Sequence, residues 1–170
     1  MDYNARKLEG VTASTISAGL IHTAGAANTF ATTVQSEGMI NGKWVTTPLG
    51  ITTGGTTPTT DAATGAAFVA LTDNQATVIV WGQTATGTIQ LCQGSIENTQ
   101  VGAATVAGDF IRAPQFPNLP DNFCPMAYQL IRTAPDASAF TIGTSNWNAT
   151  GITVSTAQNI AVLPDRLQTS

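Results

Sequence analysis

The chain has 170 residues, of which 42% are hydrophobic and only 9% are charged, and its formal net charge at pH 7 is −4. This length suits one domain with extended segments, and the charged fraction lies far below the usual value of about 25%. The negative net charge provides no basic surface for nucleic acid, so nucleic acid is not an expected partner. No apolar stretch reaches the roughly 20 residues that span a bilayer, so a membrane is not an expected partner either.

The N-terminal segment differs from the rest of the chain in charge. Residues 1–9 include Asp2, Arg6, Lys7 and Glu9, whereas the run that follows is dominated by small residues and threonine. Short charged termini of this kind cannot bury themselves. The sequence therefore predicts an extended N-terminal arm over residues 1–28 and a β domain over residues 29–170.

The first part of the β domain carries strand and turn signals. Alternation from Phe30 onwards places the first strand near Thr29. Asn41-Gly42 lies between apolar pairs, which predicts a β-hairpin with a type I′ turn, because that turn needs positive φ at both central residues. Residues 46–65 lack apolar periodicity and contain several glycines and prolines, which predicts a long loop.

The centre of the domain is predicted over residues 66–95. Residues 76–82 (ATVIVWG) and 88–94 (TIQLCQG) are two apolar runs joined by a short turn that contains Gly87, which is typical of an antiparallel hairpin. Residues 68–71 supply a third predicted strand. Three strands make about the smallest sheet that is stable when its apolar face is covered.

The rest of the chain continues the β pattern. Residues 96–109 read as an irregular connection, and the proline-rich residues 113–125 predict an extended segment that caps one end of the core. Residues 126–133 and 139–144 predict a second hairpin, and two further apolar runs begin at Gly151 and Asn159. Together these signals predict an all-β fold, an antiparallel β-sandwich or barrel of about seven to nine strands, with an extended N-terminal arm and long loops.

No motif for catalysis or metal binding is present in the sequence. His22 is the single histidine and lies among small apolar residues, and Asp61, Asp73 and Asp121 occupy turn positions where aspartate caps the backbone. No nucleophile elbow or phosphate loop occurs. We therefore expect no catalytic residue, no metal and no cofactor, and an enzyme is the least favoured class.

The cysteines and tryptophans each leave two interpretations open. Cys92 and Cys124 could form one disulfide, although two buried free thiols are favoured, because free cysteine behaves as a small apolar residue. The three tryptophans could form a sugar-stacking surface, although core or subunit-contact positions are favoured. They are Trp44, Trp81 and Trp147.

Several stretches resemble a group of tailed-phage virion proteins, and the resemblance runs from Leu8 to Arg166. The stretches are INGKW at residues 40–44, TPTTDAATGAAF at 57–68, VIVWG, QGSIE, FIRAPQFPNLPDNFCPMAY at 110–128, SNWNATGITV and LPDR. Proteins of this group are small virion components, either capsid decoration (cement) proteins or head-fibre components. The resemblance therefore implies a structural role on the outer capsid surface of a phage.

Such a role implies that the partner is the major capsid protein and that the function is to cross-link capsomers and stabilise the mature head. A homo-oligomer is expected, with a trimer favoured and a dimer as the alternative. We place the capsid contacts on the charged arm and the apolar positions behind it, which are Asp2, Arg6, Lys7, Glu9, Val11, Leu20 and Ile21. The competing hypothesis is a head fibre or adhesin that binds a receptor or glycan.

Overall fold

The computed structural model describes residues 13–16, 20–22, 28–47 and 55–160, with side chains for residues 28–47 and 55–160. These residues contain eleven β-strands and no helix, which confirms the predicted all-β fold. The strands are β1 (Ala13–Ile16), β2 (Leu20–His22), β3 (Thr29–Thr32), β4 (Glu37–Ile40), β5 (Lys43–Thr46), β6 (Gly55–Thr56), β7 (Gln75–Thr84), β8 (Ile89–Asn98), β9 (Phe123–Thr133), β10 (Ile152–Val154) and β11 (Gln158–Asn159).

The strands form three antiparallel sheets. Strand β4 lies between β1 and β5 in one small sheet, and β3 lies between β2 and β6 in the other. The largest sheet has the order β10-β9-β7-β8, and β11 pairs with β9 on the same side as β10. The sequence order β7-β8-β9 thus differs from the spatial order, because β9 pairs with β7 and not with β8.

Strands β7 and β9 form the centre of the largest sheet and are buried on both faces. They are rich in β-branched, aromatic and other apolar residues, which suits strands that are covered on both sides. Successive side chains point to opposite faces, so Ile79 and Trp81 enter one apolar cluster while Val78 and Val80 enter the other. The sheet therefore separates two cores, in a sandwich-like arrangement.

The larger core lies on the Trp81 face. The Trp81 ring packs against Phe30 of β3 and against Trp147, with ring centroids 5.2 and 6.2 Å apart. Its indole N–H donates to the Gln129 side-chain oxygen at 2.8 Å, and the Gln129 amide donates to the Ser155 carbonyl at 3.0 Å. These bonds satisfy polar groups that would be costly to bury alone.

The second core lies on the opposite face of the sheet. It contains Cys92 and Tyr128, and the partly buried Phe116 and Leu119 pack against it. The proline-rich residues 113–122 therefore cover part of this core, whereas residues 123–125 of the predicted segment belong to β9. Prolines suit a segment that lies outside the strands, because their φ is fixed and they have no backbone N–H that needs a hydrogen-bond partner.

The predicted hairpin at Asn41-Gly42 is confirmed. Asn41 and Gly42 have φ of 50° and 75°, and they connect β4 to β5. Positive φ at both positions is the requirement of a type I′ turn, whose twist matches that of the flanking strands. The predicted turn between β7 and β8, with Gly87 at φ 76°, is also present.

Two predicted strands are wrong. Residues 68–71 and 139–144 are not strands, although each contains a buried apolar residue of the first core. Instead, Leu71 and Phe140 pair with each other, since each donates its N–H to the other's carbonyl at 2.9 Å. Short apolar runs predict burial, but they do not determine which segment of the chain will form backbone hydrogen bonds with them.

The start of the β structure also differs from the prediction. Strand β3 begins at Thr29 as expected, but β1 and β2 precede it and pair with β4 and β3. Both lie within residues 1–28, the predicted arm, so part of that range is hydrogen-bonded to the domain. Strand β6 also lies within the predicted loop of residues 46–65 and pairs with β3. The domain boundary at residue 28 stays a prediction.

Pro125 lies inside β9, where it cannot donate a ladder hydrogen bond. It pairs with Gly82, and the register between β7 and β9 shifts between Trp81 and Gly82. Proline is tolerated within sheets at such irregularities. A Cβ at Gly82 would overlap the ring of Phe123 and lie 2.6 Å from the Cys124 carbonyl oxygen, so the close approach of the two strands requires glycine.

We therefore expect Gly82→Ala to lower the free energy of unfolding by about 3 kcal/mol, because the added methyl overpacks two central strands. Gly65→Ala is the matched control. Gly65 has φ of +71° but open space around its Cβ position, so its substitution should cost only about 1 kcal/mol of backbone strain. Urea unfolding measures both variants, and equal losses of stability would contradict the packing explanation.

Candidate functional site

The predicted capsid-contact residues fall at the edge of what the structure describes. Asp2, Arg6, Lys7, Glu9 and Val11 lie outside the described residues. The other two, Leu20 and Ile21, lie in β2, where they pair with Thr32 and Ala31 of β3. Their role as capsid contacts stays a prediction.

The tryptophans do not share one surface. Trp81 and Trp147 are buried in the first core, whereas Trp44 on β5 is 55% exposed. A platform of three stacked tryptophans for a sugar is therefore wrong. Core positions hold for Trp81 and Trp147, and a subunit-contact position for Trp44 stays a prediction.

The described side chains include no group of three or more histidine, cysteine, aspartate or glutamate residues that could hold a metal ion. Asp61 caps a turn as predicted, since its carboxylate accepts the Ala63 N–H at 2.8 Å. His22 lies in β2. In the described part of the chain, no helix is long and apolar enough to cross a membrane.

Both cysteines are buried free thiols, so the favoured interpretation is confirmed. Burial raises the pKa of the Cys92 thiol to about 12, and the nearby Asp61 carboxylate acts in the same direction. Burial also raises the pKa of Cys124. A reactive cysteine needs a lowered pKa and exposure, so neither thiol suits nucleophilic chemistry.

The most exposed apolar side chains cluster in sequence on one surface loop, residues 99–112, which we call the apolar loop. Val101, Val106 and Ile111 are 80%, 64% and 68% exposed. Other large apolar side chains of the described residues that are exposed, such as Trp44 and Val69, lie elsewhere in the chain. The apolar loop is therefore the strongest candidate for a surface that contacts another protein.

Backbone hydrogen bonds hold the two limbs of the apolar loop together. Gln100 N–H donates to the Asp109 carbonyl at 2.9 Å, and Ala103 and Val106 exchange N–H···O bonds of 3.1 and 2.8 Å. Gly108 allows this close approach, because a Cβ there would overlap the Gln100 carbonyl oxygen. The loop therefore has a defined conformation despite the absence of a regular strand.

The apolar loop is also tied to the sheets. Arg132 of β9 donates to the Gly108 carbonyl at 2.9 Å, lies 3.7 Å from the Asp109 carboxylate and places its guanidinium 5.2 Å from the centre of the Phe110 ring. Asn74 accepts the Gly102 N–H through its side chain at 3.2 Å. These contacts hold the exposed apolar side chains on a rigid support.

The sequence predicted an irregular connection at residues 96–109 and no contact surface there. Val101, Val106 and Ile111 are five residues apart, which is neither the period of a strand nor that of a helix. This spacing was the available signal that they do not enter a core from one strand or one helix.

No protein-family model, curated protein sequence or solved structure matches this chain.

The buried thiols predict a dependence of stability on alkaline pH. An unfolded cysteine ionises near pH 8.5, whereas folded Cys92 keeps its proton to about pH 12. The stability that this raised pKa contributes is fully present below about pH 8.5 and is lost as the pH rises towards 12. We therefore expect the free energy of unfolding of Cys92→Ala to decline less steeply than that of the unmodified chain between about pH 8.5 and 11.

Urea unfolding at a series of pH values measures these slopes. Val80→Ala is the matched control, because it shortens a side chain in the same cluster without removing a titrating group. Its slope should equal that of the unmodified chain. A Cys92→Ala slope as steep as that of Val80→Ala would contradict the assignment.

Proposed function

We propose that this chain is a structural virion protein that binds the outer surface of a phage capsid and stabilises the mature head by cross-linking capsomers. The observation that carries the proposal is the apolar loop, an ordered surface loop with three exposed β-branched side chains. The resemblance to tailed-phage virion proteins supplies the partner, the major capsid protein. The function requires a contact surface and no reaction centre.

The apolar loop suits docking for an energetic reason. Burial of apolar surface contributes about 25 cal/mol per Å², so covering three exposed aliphatic side chains stabilises a complex by several kcal/mol. Ordering of mobile groups opposes binding. The apolar loop is already held by Arg132 and by its own backbone bonds, so little further ordering is needed.

The composition of the chain supports the same function. Only 9% of its residues are charged, so few long side chains must be immobilised when its surface is covered. Binding to the mature lattice alone would stabilise that state by mass action. A homo-oligomer, with a trimer favoured and a dimer as the alternative, would bind several capsomers at once and dissociate slowly.

Substitutions in the apolar loop test the proposal. Val101→Ser and Val106→Ser should each weaken attachment to phage heads that lack the protein by about 5- to 10-fold, because each removes apolar area from the contact. Val69→Ser is the matched control, since Val69 is 63% exposed but lies outside the apolar loop. Co-sedimentation with heads measures the affinities of these three variants and of the Val101→Ser/Val106→Ser double variant. A double variant that binds as tightly as the control would refute the docking role of this loop.

Removal of residues 1–9 tests the predicted arm contacts. The truncated chain lacks Asp2, Arg6, Lys7 and Glu9, so its attachment to heads should weaken, while circular dichroism and the urea midpoint stay unchanged. Attachment at full strength after the deletion would dismiss the arm as a contact. The result is independent of the loop substitutions, so the two contacts can be separated.

A further inference from the structure

An open cavity of about 570 Å³ is lined by β8, by the turn at residues 61–64 and by the proline-rich residues 115–120, and we call it the groove. Its volume is within the usual range for sites that bind small molecules. The apolar loop does not line it, so it is separate from the surface proposed to dock on a capsid. Neither catalysis nor capsid attachment accounts for it.

One wall of the groove is fixed to β8. Ser95 N–H donates to the Gln115 carbonyl at 3.1 Å, and Gln115 N–H donates to the Ser95 hydroxyl at 2.8 Å. Gly94 allows the contact, because a Cβ there would overlap the Gln115 carbonyl oxygen. The wall is therefore preformed, which reduces the entropy lost on binding a ligand.

Two side-chain amides on this wall have no role in the fold. The amides of Gln115 and Asn118 make no hydrogen bond in the described part of the chain, and both residues are exposed at the groove. Each amide offers an acceptor oxygen and two N–H donors. Together they provide paired donors and acceptors for a ligand that has several hydroxyl groups.

A carboxylate also lines the groove. Asp61 lines the groove and is only 8% exposed, and its carboxylate accepts one hydrogen bond, from Ala63 N–H at 2.8 Å. An ionised carboxylate has about four acceptor positions, so most of its capacity is unused. Hydrogen bonds to such a charged acceptor are stronger than those between neutral groups.

Apolar side chains complete the lining. Phe116 and Leu119 are partly exposed in the groove. The Phe116 ring packs edge-on against Tyr128, with centroids 5.2 Å apart and an angle of 85° between the planes, so its orientation is fixed. The groove thus combines an apolar surface with amides and one carboxylate.

The lining selects one class of ligand. It contains no lysine, arginine or histidine, and its single ionisable group is acidic, so a phosphate or carboxylate ligand would find no cation. A fully apolar ligand would leave the amides and the carboxylate unsatisfied. A sugar ring has hydroxyl groups at its edge and C–H groups on its faces, which match both parts of the lining.

We propose that the groove is a binding site for a neutral saccharide, in which Asp61, Gln115 and Asn118 bind hydroxyl groups and Phe116 contacts the face of a sugar ring. The site stands independently of the proposed capsid attachment. An open groove leaves part of its ligand in solvent, so we expect a Kd on the order of 0.1 to 1 mM.

Binding is tested with the full chain and soluble neutral oligomers of glucose, galactose, mannose and N-acetylglucosamine. An oligomer of galacturonic acid is the anionic comparison. In amide NMR titrations, at least one neutral oligomer should give saturable shifts at residues 61–64 and at Gln115, Phe116, Asn118 and Leu119, and the anionic oligomer should give none. No saturable shift with any neutral oligomer at about 10 mM, or preference for the anionic one, overturns the proposal.

Variants locate the site. Asn118→Ala should raise the Kd about 5-fold and the Gln115→Ala/Asn118→Ala pair more than about 10-fold, because these amides bond nothing else. Asp61→Asn, which keeps an acceptor for Ala63 N–H, should raise the Kd about 10-fold. Asn148→Ala is the matched control, an exposed amide outside the groove. Its Kd should equal that of the unmodified chain, and an equal Kd for Asn118→Ala overturns the proposal.

Discussion

The pairing of β7 with β9 is the constraint on which the rest of the structure depends. Both strands are bordered by further strands on their other edges and are buried on both faces. Their backbone polar groups must therefore be satisfied within the sheet, and both faces must be covered. Irregular segments around Leu71 and Phe140 cover one face, and the proline-rich segment covers the other. The long loops of this chain thus serve as the outer layers of its cores.

Local signals explain why part of the fold was predictable from sequence. The turn at Asn41-Gly42 and the β7–β8 hairpin depend on neighbouring residues alone, so residue type and alternation were sufficient. The pairing of β9 with β7 is a long-range choice that periodicity does not encode. Proline is disfavoured in a central strand, but the register shift at Gly82 accommodates Pro125. The apolar alternation around Leu71 and Phe140 predicted strands, but these residues lie in irregular segments that cover the sheet and share only an isolated bridge.

The candidate site was less predictable than the fold. The charged arm was the predicted contact because charge is rare in this chain. Most of the predicted contact residues lie outside the described part. The apolar loop and the groove arise from contacts between distant residues, such as Arg132 with Gly108 and Ser95 with Gln115. Both surfaces are attached to β8, which lines the groove at Gly94 and leads into the apolar loop after Asn98. One rigid strand therefore supports two surfaces of different chemistry.

The two cysteines lie in separate apolar clusters and form no cross-link. The fold consequently contains no covalent bond that a reducing environment could break. Because both thiols are shielded and hold their protons at neutral pH, oxidants also have little access to a reactive thiolate. The same folded chain should thus persist unchanged when it passes between reducing and oxidising surroundings, without the help of any enzyme that makes or rearranges disulfides.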